Sequence, residues 1–313
     1  MTVDIVTLGE SLGVFAADGT GPLRHGRAVS FRIAGAESNV AIGMRRLGKS
    51  ATWISVLGRD AIGAAIRREL RAEGVEVLAT ESPDPTAVMV KTRKTPDINA
   101  VHYLRRNSAF ARAGRDAFDL TPLRSARCFH FTGISLALGR GPVEALRQAV
   151  ADARAAGAVV SMDFNVRRSL WVPGETDELL AEFAAEADLV FASADEAAHL
   201  VRGDHEEALA RALLHLGPSA AVVKLGARGA LIATPEGVER APAVSTTVVD
   251  AIGAGDAFAA GFLASWLDHS APLAALRQAN AVAAFAVASE SDWENLPSPT
   301  DLSVFDDVDD VIR

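Results

Sequence analysis

The chain of 313 residues lacks several features that define large classes of protein. It has a single cysteine, Cys128, which excludes an internal disulfide and a metal site built on several thiolates, and its apolar neighbours predict a thiol packed in the core. No stretch approaches the roughly 18 uninterrupted apolar residues of a membrane-spanning helix. No basic segment or signal-peptide cleavage pattern follows Met1, so we expect a cytoplasmic protein that is not bound to a membrane.

Basic residues are also scarce. The chain has 31 Lys and Arg against 40 Asp and Glu, which gives a net charge of −9. A nucleic-acid-binding surface needs a basic stripe, so we expect no nucleic-acid partner. The charge balance does not exclude an anionic small molecule, because a cleft can carry local charge opposite to that of the whole chain. Apolar residues make up 49% of the sequence, which is enough for a large buried core.

Apolar runs at strand spacing alternate with apolar positions at helical spacing along most of the chain. Strands are predicted at 3–9, 51–57, 128–132, 158–163, 188–192 and 220–225. Helices are predicted around 40–47, 62–70, 142–156, 176–186, 205–216 and 255–288. This alternation is typical of βαβ units, so the predicted fold class is α/β, with a mainly parallel central sheet flanked by helices.

Two segments interrupt this alternation. Residues 12–33 are rich in glycine and short extended pieces, and residues 86–106 predict a β-hairpin that turns at Thr95-Pro96-Asp97. Together they predict a small β-sheet that projects from the α/β body as a lid. The sequence has no internal repeat and no low-complexity linker, so residues 1–313 are interpreted as one domain with this lid. Residues 306–310 are interpreted as a solvated acidic tail.

The segment from Gly43 to Ser50 matches the phosphate-loop pattern G-x-x-x-x-G-K-S letter for letter. That pattern binds phosphate only where a loop leaves a strand and opens a helix. Here a helix is predicted first, Gly48 ends it and a strand follows, so the N–H groups before Gly48 are bonded within the helix. We therefore reject a phosphate-binding role for this segment and for Lys49.

The segment from Asp250 to Asp256 follows a strand predicted at 246–249 and opens an apolar helix. The small residues at 253–255 allow a tight turn whose free N–H groups, together with the helix dipole, form an anion hole. Asp256 is interpreted either as an ordinary helix cap or as a general base. An anion hole beside a carboxylate is what phosphoryl transfer to a hydroxyl requires.

Further polar motifs lie beside predicted strands and helices. Small residues around Asn39 let a ligand approach the backbone, unless residues 35–41 are only a capped helix start. Asp163, Asn165 and Arg167 leave the end of a strand with alternate residues on one side, which predicts either a ligand site or a solvated turn.

Two more segments have two interpretations each. Ser193 and Glu196 predict a capped helix start or a site for magnesium-bound water, and residues 224–229 predict a hairpin turn or a ligand loop. The histidines show no metal-binding spacing. His102 and His130 are interpreted as ordinary strand residues.

The chain resembles the ribokinase-like carbohydrate kinases in three motifs. Its Gly-Ala-Gly-Asp at 253–256 is similar to their C-terminal signature, residues 35–41 to their N-terminal glycine motif, and residues 224–229 to their nucleotide loop. The likeness runs in the family's order from Leu8 to Asn280. It implies a three-layer α/β/α fold with a sheet of roughly nine strands and a β lid. It also implies ATP and Mg²⁺ as cofactors and a homodimer formed through the lid.

The resemblance also implies roles for individual residues. Asp256 would be the general base, with Gly253, Ala254 and Gly255 as the anion hole. The implied sugar contacts are Gly35, Ala36, Glu37, Asn39, Tyr103, Arg105, Asn165, Arg167, Asp256 and Asp292. The implied ATP contacts are Ser193, Lys224, Gly226, Arg228, Gly229, Gly253, Gly255 and Asn280. Magnesium would be held through water near Glu196.

Within the family, the likeness is strongest to the kinases of 2-keto-3-deoxygluconate, a sugar acid. It rests on Tyr103, Arg105, Asp163, Asn165, Arg167, Leu170, Trp171 and Asp292. The chain departs from the family's usual glycine, asparagine, and threonine or proline at Ala34, Ser193 and Ala251. Arginines at two ligand-facing positions favour a carboxylate-bearing substrate, because an unpaired arginine is costly to bury in a neutral-sugar site. The alternatives are a kinase of a neutral ketose such as fructose, a nucleoside kinase, and a non-catalytic sugar-binding protein.

Overall fold

The computed structural model describes residues 2–95, 98–167, 169–170, 175–290 and 292–303. Within these ranges the strands β1 to β13 are Val3–Leu8, Leu12–Thr20, Val29–Ala34, Ala51–Gly58, Glu76–Ser82, Ala87–Thr95, Ile98–Leu104, Ala126–Thr132, Val159–Asp163, Leu189–Ser193, Ala220–Lys224, Ala230–Thr234 and Gly237–Ala241. The helices α1 to α11 are Ala36–Arg46, Ala61–Ala72, Ala109–Arg112, Gly133–Leu136, Arg140–Ala155, Glu175–Glu186, Ala194–Leu200, Glu206–Leu214, Ala254–Trp266, Pro272–Val287 and Pro299–Leu302. The predicted turn at Pro96-Asp97, Trp171 and the predicted acidic tail lie outside the described residues.

Nine strands form one sheet in the order β13-β12-β11-β10-β9-β8-β1-β4-β5. The strands from β11 to β5 in this order pair in parallel, and the β12–β13 hairpin adds antiparallel strands at one edge. The chain first builds outward from β1 through β4 and β5, and then returns to place β8 on the other side of β1. The carboxyl ends of β1 and β8 therefore border a crevice, which is where open α/β sheets bind ligands. The predicted mainly parallel sheet is confirmed.

Helices cover both faces of this sheet. Side chains of α1, α2, α9 and α10 pack on one face, and side chains of α3 to α8 pack on the other. Alternate residues of β8 show the two faces, because Cys128 packs with the first group of helices, and Phe129 and Phe131 pack with the second. The fold is the three-layer α/β/α arrangement that the resemblance implies, and Cys128 is a buried core thiol as predicted.

A second sheet has four strands in the order β3-β2-β6-β7. β2 pairs antiparallel with β3 and β6 with β7, while β2 and β6 run parallel. This confirms the small sheet predicted from residues 12–33 and 86–106, and the division of the chain into a single domain stays a prediction. In the described part of the chain, no helix is both long enough and apolar enough to cross a bilayer.

The strand predicted at 246–249 is absent from the structure. Val248 is 65% exposed, and the Val249 N–H donates to the Val287 carbonyl at the end of α10 at 2.8 Å. The valines suggest a strand by composition, but the segment runs along a helix end and has no strand beside it. It forms part of a cleft wall instead.

The helical region predicted over 255–288 is confirmed and consists of two helices, α9 and α10. His269 between them adopts a positive φ of 60°, which interrupts the helical backbone. Pro272 then begins α10 at a position where the missing N–H of a proline has no helical partner to lose.

The phosphate-loop look-alike has the local structure that the sequence predicts. Residues 43–46 lie inside α1, Gly48 has a positive φ of 83°, and β4 begins at Ala51. Lys49 forms an ion pair with Asp268, and neither residue lines the cleft described below. The order of helix, glycine turn and strand on which the rejection of a phosphate site depends is confirmed, and the rejection itself stays a prediction.

Candidate active site

The N-terminus of α9 opens into a cleft of about 1180 Å³ that is lined by residues of both sheets. Gly253 precedes the helix with a positive φ of 80°, and a Cβ at this position would overlap the backbone of Asp292. No side chain caps the helix, and within the described residues the N–H groups of Gly253 and Gly255 have no acceptor. Free N–H groups at a helix N-terminus bind anions, so this turn has the geometry of the predicted anion hole.

Asp256 lies in the first turn of α9 and is only 8% exposed. The Asn39 Nδ2 donates to its Oδ2 at 2.9 Å, and the Asn165 Nδ2 donates to its Oδ1 at 3.4 Å. Gly253 occupies the N-cap position, so Asp256 is not the helix cap. Burial raises the pKa of Asp256, and the Asn39 amide and the Arg167 charge act against this increase. A carboxylate held in this way can accept the proton of a hydroxyl group.

The two asparagines that hold Asp256 also border the cleft. The Asn39 Oδ1 is buried and has no hydrogen-bond partner among the described residues. A buried acceptor of this kind requires a donor, which a ligand hydroxyl can supply. Asn165 has a positive φ of 39°, a conformation that asparagine tolerates better than most residues, and its N–H donates to the Asp163 Oδ1 at 3.2 Å.

Lys224, at the end of β11, brings a positive charge to the anion hole. Its Nζ donates to the Asp163 Oδ2 at 2.6 Å and lies 3.4 Å from the position that a Cβ on Gly255 would occupy. Burial alone would lower the pKa of Lys224, but the carboxylates of Asp163 and Glu196 raise it above its usual value. The side chain therefore stays charged beside the free N–H groups of the helix, where an anion would bind.

Ser193 and Glu196 form a capping box at the start of α7, and both line the cleft. The Glu196 carboxylate accepts N–H bonds from Ser193 and from Val166, each at 2.7 Å. No three Asp, Glu, His or Cys side chains of the described residues gather as a metal cage. Mg²⁺ at kinase sites usually keeps several waters and is bound mainly by phosphate, so Glu196, which lines the cleft, is the carboxylate that would hold such an ion through water.

The turn between β11 and β12 borders the same part of the cleft. Gly226 and Gly229 have positive φ values of 59° and 86°, and a Cβ on Gly229 would overlap the backbone near Ala241. Asn280, on α10, is held there by donating to the Pro242 carbonyl at 3.0 Å. These residues leave a backbone-lined recess beside Lys224 and α9.

Two predicted contacts do not line the cleft. Glu37 is buried, and its Oε1 accepts bonds from the Thr132 Oγ1 and the Ser135 Oγ, both at 2.8 Å, so it ties α1 to the end of β8. Burial raises the pKa of Glu37 to about 7. Arg228 pairs with Glu206 at 2.5 Å and is 58% exposed. Each side chain is directed to a protein partner outside the cleft wall.

Arg105 lines the cleft, but it is not an unpaired cation. Its Nε and Nη2 both lie 2.7 Å from the Glu10 Oε2, and the Ser108 Oγ donates to the other oxygen of Glu10. The guanidinium lies 5.5 Å from the centre of the Tyr103 ring. The assumption that this arginine lacks a counter-ion is therefore wrong, and Arg105 alone gives no net charge that favours an acid.

Arg167 and Asp292 are the other charged residues predicted at the sugar, and both line the cleft. Arg167 is exposed and forms no salt bridge within the described residues. Burial and the nearby Asp256 charge raise the pKa of Asp292 to about 7. Gly35 and Ala36 complete this part of the wall at the start of α1.

Three charged residues at the cleft or beside it were not predicted as contacts. Glu10 directly follows a predicted strand, so the strand-end argument used for Asp163 would have found it. Asp250 stands inside the motif that ends at Asp256. Lys91 gives no local signal, because its ion pair with Asp250 joins residues 159 positions apart.

The fold and the site together define a kinase of small hydroxyl compounds. The model of the pfkB family of carbohydrate kinases matches residues 3–299, and the chain belongs to this family. It is a carbohydrate kinase, as the resemblance implies.

The curated relatives act on more than one class of sugar. The 2-dehydro-3-deoxygluconokinase of Bacillus subtilis is 34% identical over 311 residues, which cover 97% of this chain and 96% of that protein. The aminoimidazole riboside kinase of Salmonella typhimurium is 34% identical, with 87% and 86% covered. A probable fructokinase of Arabidopsis thaliana is 30% identical, with 95% of each chain covered.

Solved structures of similar proteins share the fold over nearly the whole length. A pfkB protein from a Polaromonas species is 34% identical, with a TM-score of 0.87, and 96% of this chain and 99% of that chain are covered. A fructokinase from Xylella fastidiosa with bound ATP is 25% identical, also with a TM-score of 0.87, and 99% and 100% of the two chains are covered.

Proposed function

We propose that this kinase transfers the γ-phosphoryl group of ATP to the primary hydroxyl of a sugar acid, 2-keto-3-deoxygluconate, which is also called 2-dehydro-3-deoxygluconate. The observation that carries the proposal is the position of Asp256. Its carboxylate is held by two asparagine amides at the open N-terminus of α9, beside unbonded N–H groups. A proton acceptor and an anion hole thus share one end of the cleft.

The residues of the chain divide the reaction between them. Asp256 accepts the hydroxyl proton as the sugar oxygen forms its bond to the γ-phosphorus, and ADP leaves with the electron pair of the broken bond. The N–H groups of Gly253 and Gly255 stabilise the negative charge on the phosphoryl oxygens during transfer. The Lys224 ammonium lies beside Gly255 and adds positive charge there.

The nucleotide is assigned to the recess formed by Gly226, Gly229 and Asn280, with Ser193 at its side. A fructokinase of the same fold with bound ATP supports ATP as the phosphate donor in this proposal. Glu196 would hold Mg²⁺ through water, and the ion would offset negative charge on the phosphate oxygens. Arg228 is not assigned to the nucleotide, because its side chain pairs with Glu206 and does not line the cleft.

The sugar is assigned to the part of the cleft between Asp256 and the small sheet. Asn39 offers an unpaired acceptor to a sugar hydroxyl, and Arg105 offers the edge of its guanidinium that Glu10 does not occupy. Arg167 is exposed at the cleft, and its charge acts on Asp256 without forming a salt bridge in the described residues. A carboxylate-bearing sugar matches this set better than a neutral one does, since a charge-assisted hydrogen bond is the stronger kind.

The alternatives are a neutral ketose such as fructose and a riboside. Both have support among the relatives, because a probable fructokinase and an aminoimidazole riboside kinase match over most of this chain. A non-catalytic sugar-binding role has no support from the site, which holds both a base and an anion hole. The cytoplasmic location and the homodimer through the small sheet stay predictions.

A substrate panel tests the proposal. The purified chain is given ATP and Mg²⁺ with 2-keto-3-deoxygluconate, its neutral counterpart without the carboxylate, fructose, or aminoimidazole riboside, and ADP release is followed. We expect kcat/KM for the acid to exceed the others by roughly tenfold or more, since one charge-assisted bond is worth about 1.5–3 kcal/mol. Higher kcat/KM for fructose or for the riboside would replace the sugar acid with that class.

A further inference from the structure

A lysine of the small sheet reaches the turn that forms the anion hole. Lys91, on β6, forms an ion pair with Asp250, and their side chains are only 13% and 5% exposed. Asp250 stands three residues before Gly253, the residue that precedes α9. The contact therefore joins two distant parts of the chain at the entrance to the catalytic turn.

Asp250 shapes this turn through its second oxygen. The Oδ1 accepts a hydrogen bond from the Ile252 N–H at 3.2 Å, while the Oδ2 accepts one from the Lys91 ammonium. The backbone N–H groups of Val249 and Asp250 both bond to the Val287 carbonyl, at 2.8 and 3.3 Å. The bonds to the Val287 carbonyl of α10 and the ion pair with Lys91 thus hold Asp250 in place. The position of Asp250 in turn sets the direction in which the chain enters Gly253.

The ion pair compensates a negative charge that is buried in the protein. The Asp250 carboxylate is buried, and its negative charge acts on the nearby Asp292, which the Asp256 charge affects as well. A buried carboxylate without a partner is strongly destabilising, and it would move toward water or toward another donor. Loss of the Lys91 charge would therefore free Asp250 to turn away and would release the Ile252 N–H.

We propose that Lys91 is a positioning residue for phosphoryl transfer, which acts through Asp250 to hold the anion hole in its catalytic geometry. The proposal rests on the assignment of the N–H groups of Gly253 and Gly255 to the transferred phosphoryl group, which belongs to the proposed function. It makes the small sheet part of the catalytic apparatus as well as a wall of the sugar site. A shift of the turn raises the free energy of the transition state more than that of the ground state, because the N–H groups point at charge that develops during transfer.

Arg93 provides a matched control on the same strand. It lies two positions after Lys91, so both side chains are on one face of β6. It also pairs with a carboxylate of the body, because its Nη1 lies 3.1 Å from Glu290, but the Glu290 side chain is 54% exposed. Replacing Arg93 therefore removes a bond between sheet and body without touching the turn at Asp250.

The test compares Lys91→Met with Arg93→Met, each in the native background and in an Asp250→Asn background. In the native background we expect Lys91→Met to lower kcat about tenfold or more and to change the sugar KM less than about threefold. Arg93→Met should change kcat less than about threefold. In the Asp250→Asn background, which has no carboxylate to leave unpaired, Lys91→Met should have less than about a threefold further effect on kcat. Equal losses from the two lid substitutions, or full additivity with Asp250→Asn, would overturn the proposal.

A binding measurement keeps this test independent of the sugar. Calorimetric titration of the full-length variants with ATP and with ADP compares nucleotides with and without the γ-phosphate. We expect Lys91→Met to weaken ATP binding about threefold or more and to leave ADP binding unchanged, while Arg93→Met changes neither. Equal weakening of both nucleotides by Lys91→Met would refute the link to the anion hole. If no sugar of the panel is phosphorylated by the native chain, the substrate assignment fails, and this comparison still decides the role of Lys91.

Discussion

Arg105 carries a positive charge into the cleft together with its own counter-ion. Glu10 accepts two of its N–H groups, and the Ser108 hydroxyl holds the second oxygen of Glu10. The pair fixes the guanidinium rigidly and cancels its net charge. An acid substrate would therefore gain directed hydrogen bonds from Arg105, while Arg167, whose charge also acts on Asp256, adds a cation that forms no salt bridge in the described residues.

Arg105→Ala should harm the acid sugar more than its neutral counterpart, because it removes donors and leaves the Glu10 carboxylate buried beside an anion. We expect kcat/KM to fall roughly tenfold to a hundredfold for the acid and only a few-fold for the neutral sugar. Glu10→Gln added to Arg105→Ala should restore part of the loss for the acid. The measurement is kcat/KM for both sugars with the native chain and the two variants. Equal losses for both sugars would mean that Arg105 only supports the fold and would favour a neutral ketose.

Individual residues differ in how well the sequence predicts them. Asp256 is predictable because the small residues at 253–255 directly precede it in the sequence and permit a tight turn at the start of a helix. The pairing of Arg105 with Glu10 is not predictable in this way. A sequence shows that an arginine is present, but not whether a carboxylate 95 positions away forms an ion pair with it. For the same reason the sequence reveals neither the pair of Lys91 with Asp250 nor that of Arg228 with Glu206.

The helix α1 carries a buried carboxylate at its start. Glu37 is 1% exposed and accepts hydroxyl groups of Thr132 and Ser135 at the end of β8 and the start of α4. Burial raises the pKa of this side chain from its ordinary value of 4.5 to about 7. The helix that presents Asn39 to the active site is thus anchored by a group whose charge changes near neutral pH.

Glu37→Gln should change how stability depends on pH. The folded chain holds the Glu37 proton more tightly than the unfolded chain does, so ionisation destabilises the fold as the pH rises from about 4.5 to about 7. Glutamine cannot ionise, and its Oε1 can accept the same bonds. We therefore expect the free energy of unfolding of the variant, relative to the native chain, to rise by roughly 3 kcal/mol over this range.

Denaturant unfolding at several pH values measures this difference, with the exposed Glu178→Gln as the control. The control should differ from the native chain by a constant amount. A constant difference for Glu37→Gln as well would show that its carboxyl titrates normally in the folded chain.

Most elements of the large sheet follow from local periodicity. The alternation of strand and helix predicts β1, β4 and β8 to β11 because a buried parallel strand needs a continuous apolar run. The segment at 246–249 has the same composition, yet it lacks a neighbouring strand, and only the three-dimensional arrangement reveals this. The parallel pairing of β2 with β6 is also beyond local reasoning, because it joins segments separated by α1, β4 and α2.

At the scale of the whole molecule, the fold assembles one site from distant parts of the chain. Asn39 and Asp256 are 217 positions apart and meet at 2.9 Å, and Asn165 reaches the same carboxylate from the end of β9. The crevice at the ends of β1 and β8 lies between the large sheet and the small one, so each layer contributes a wall. This arrangement explains why the family resemblance extends over nearly the whole length and is not confined to one motif.

The central claim is that Asp256 accepts the proton of the acceptor hydroxyl, and Asp256→Asn tests it most directly. Asparagine keeps the size of the side chain and an oxygen that accepts the Asn39 bond, but it is not a base. We expect kcat, measured with saturating ATP and the best sugar of the panel, to fall about 100- to 10,000-fold, with the melting temperature and both substrate affinities little changed. A folded Asp256→Asn protein that turns over at nearly the native rate would contradict the account.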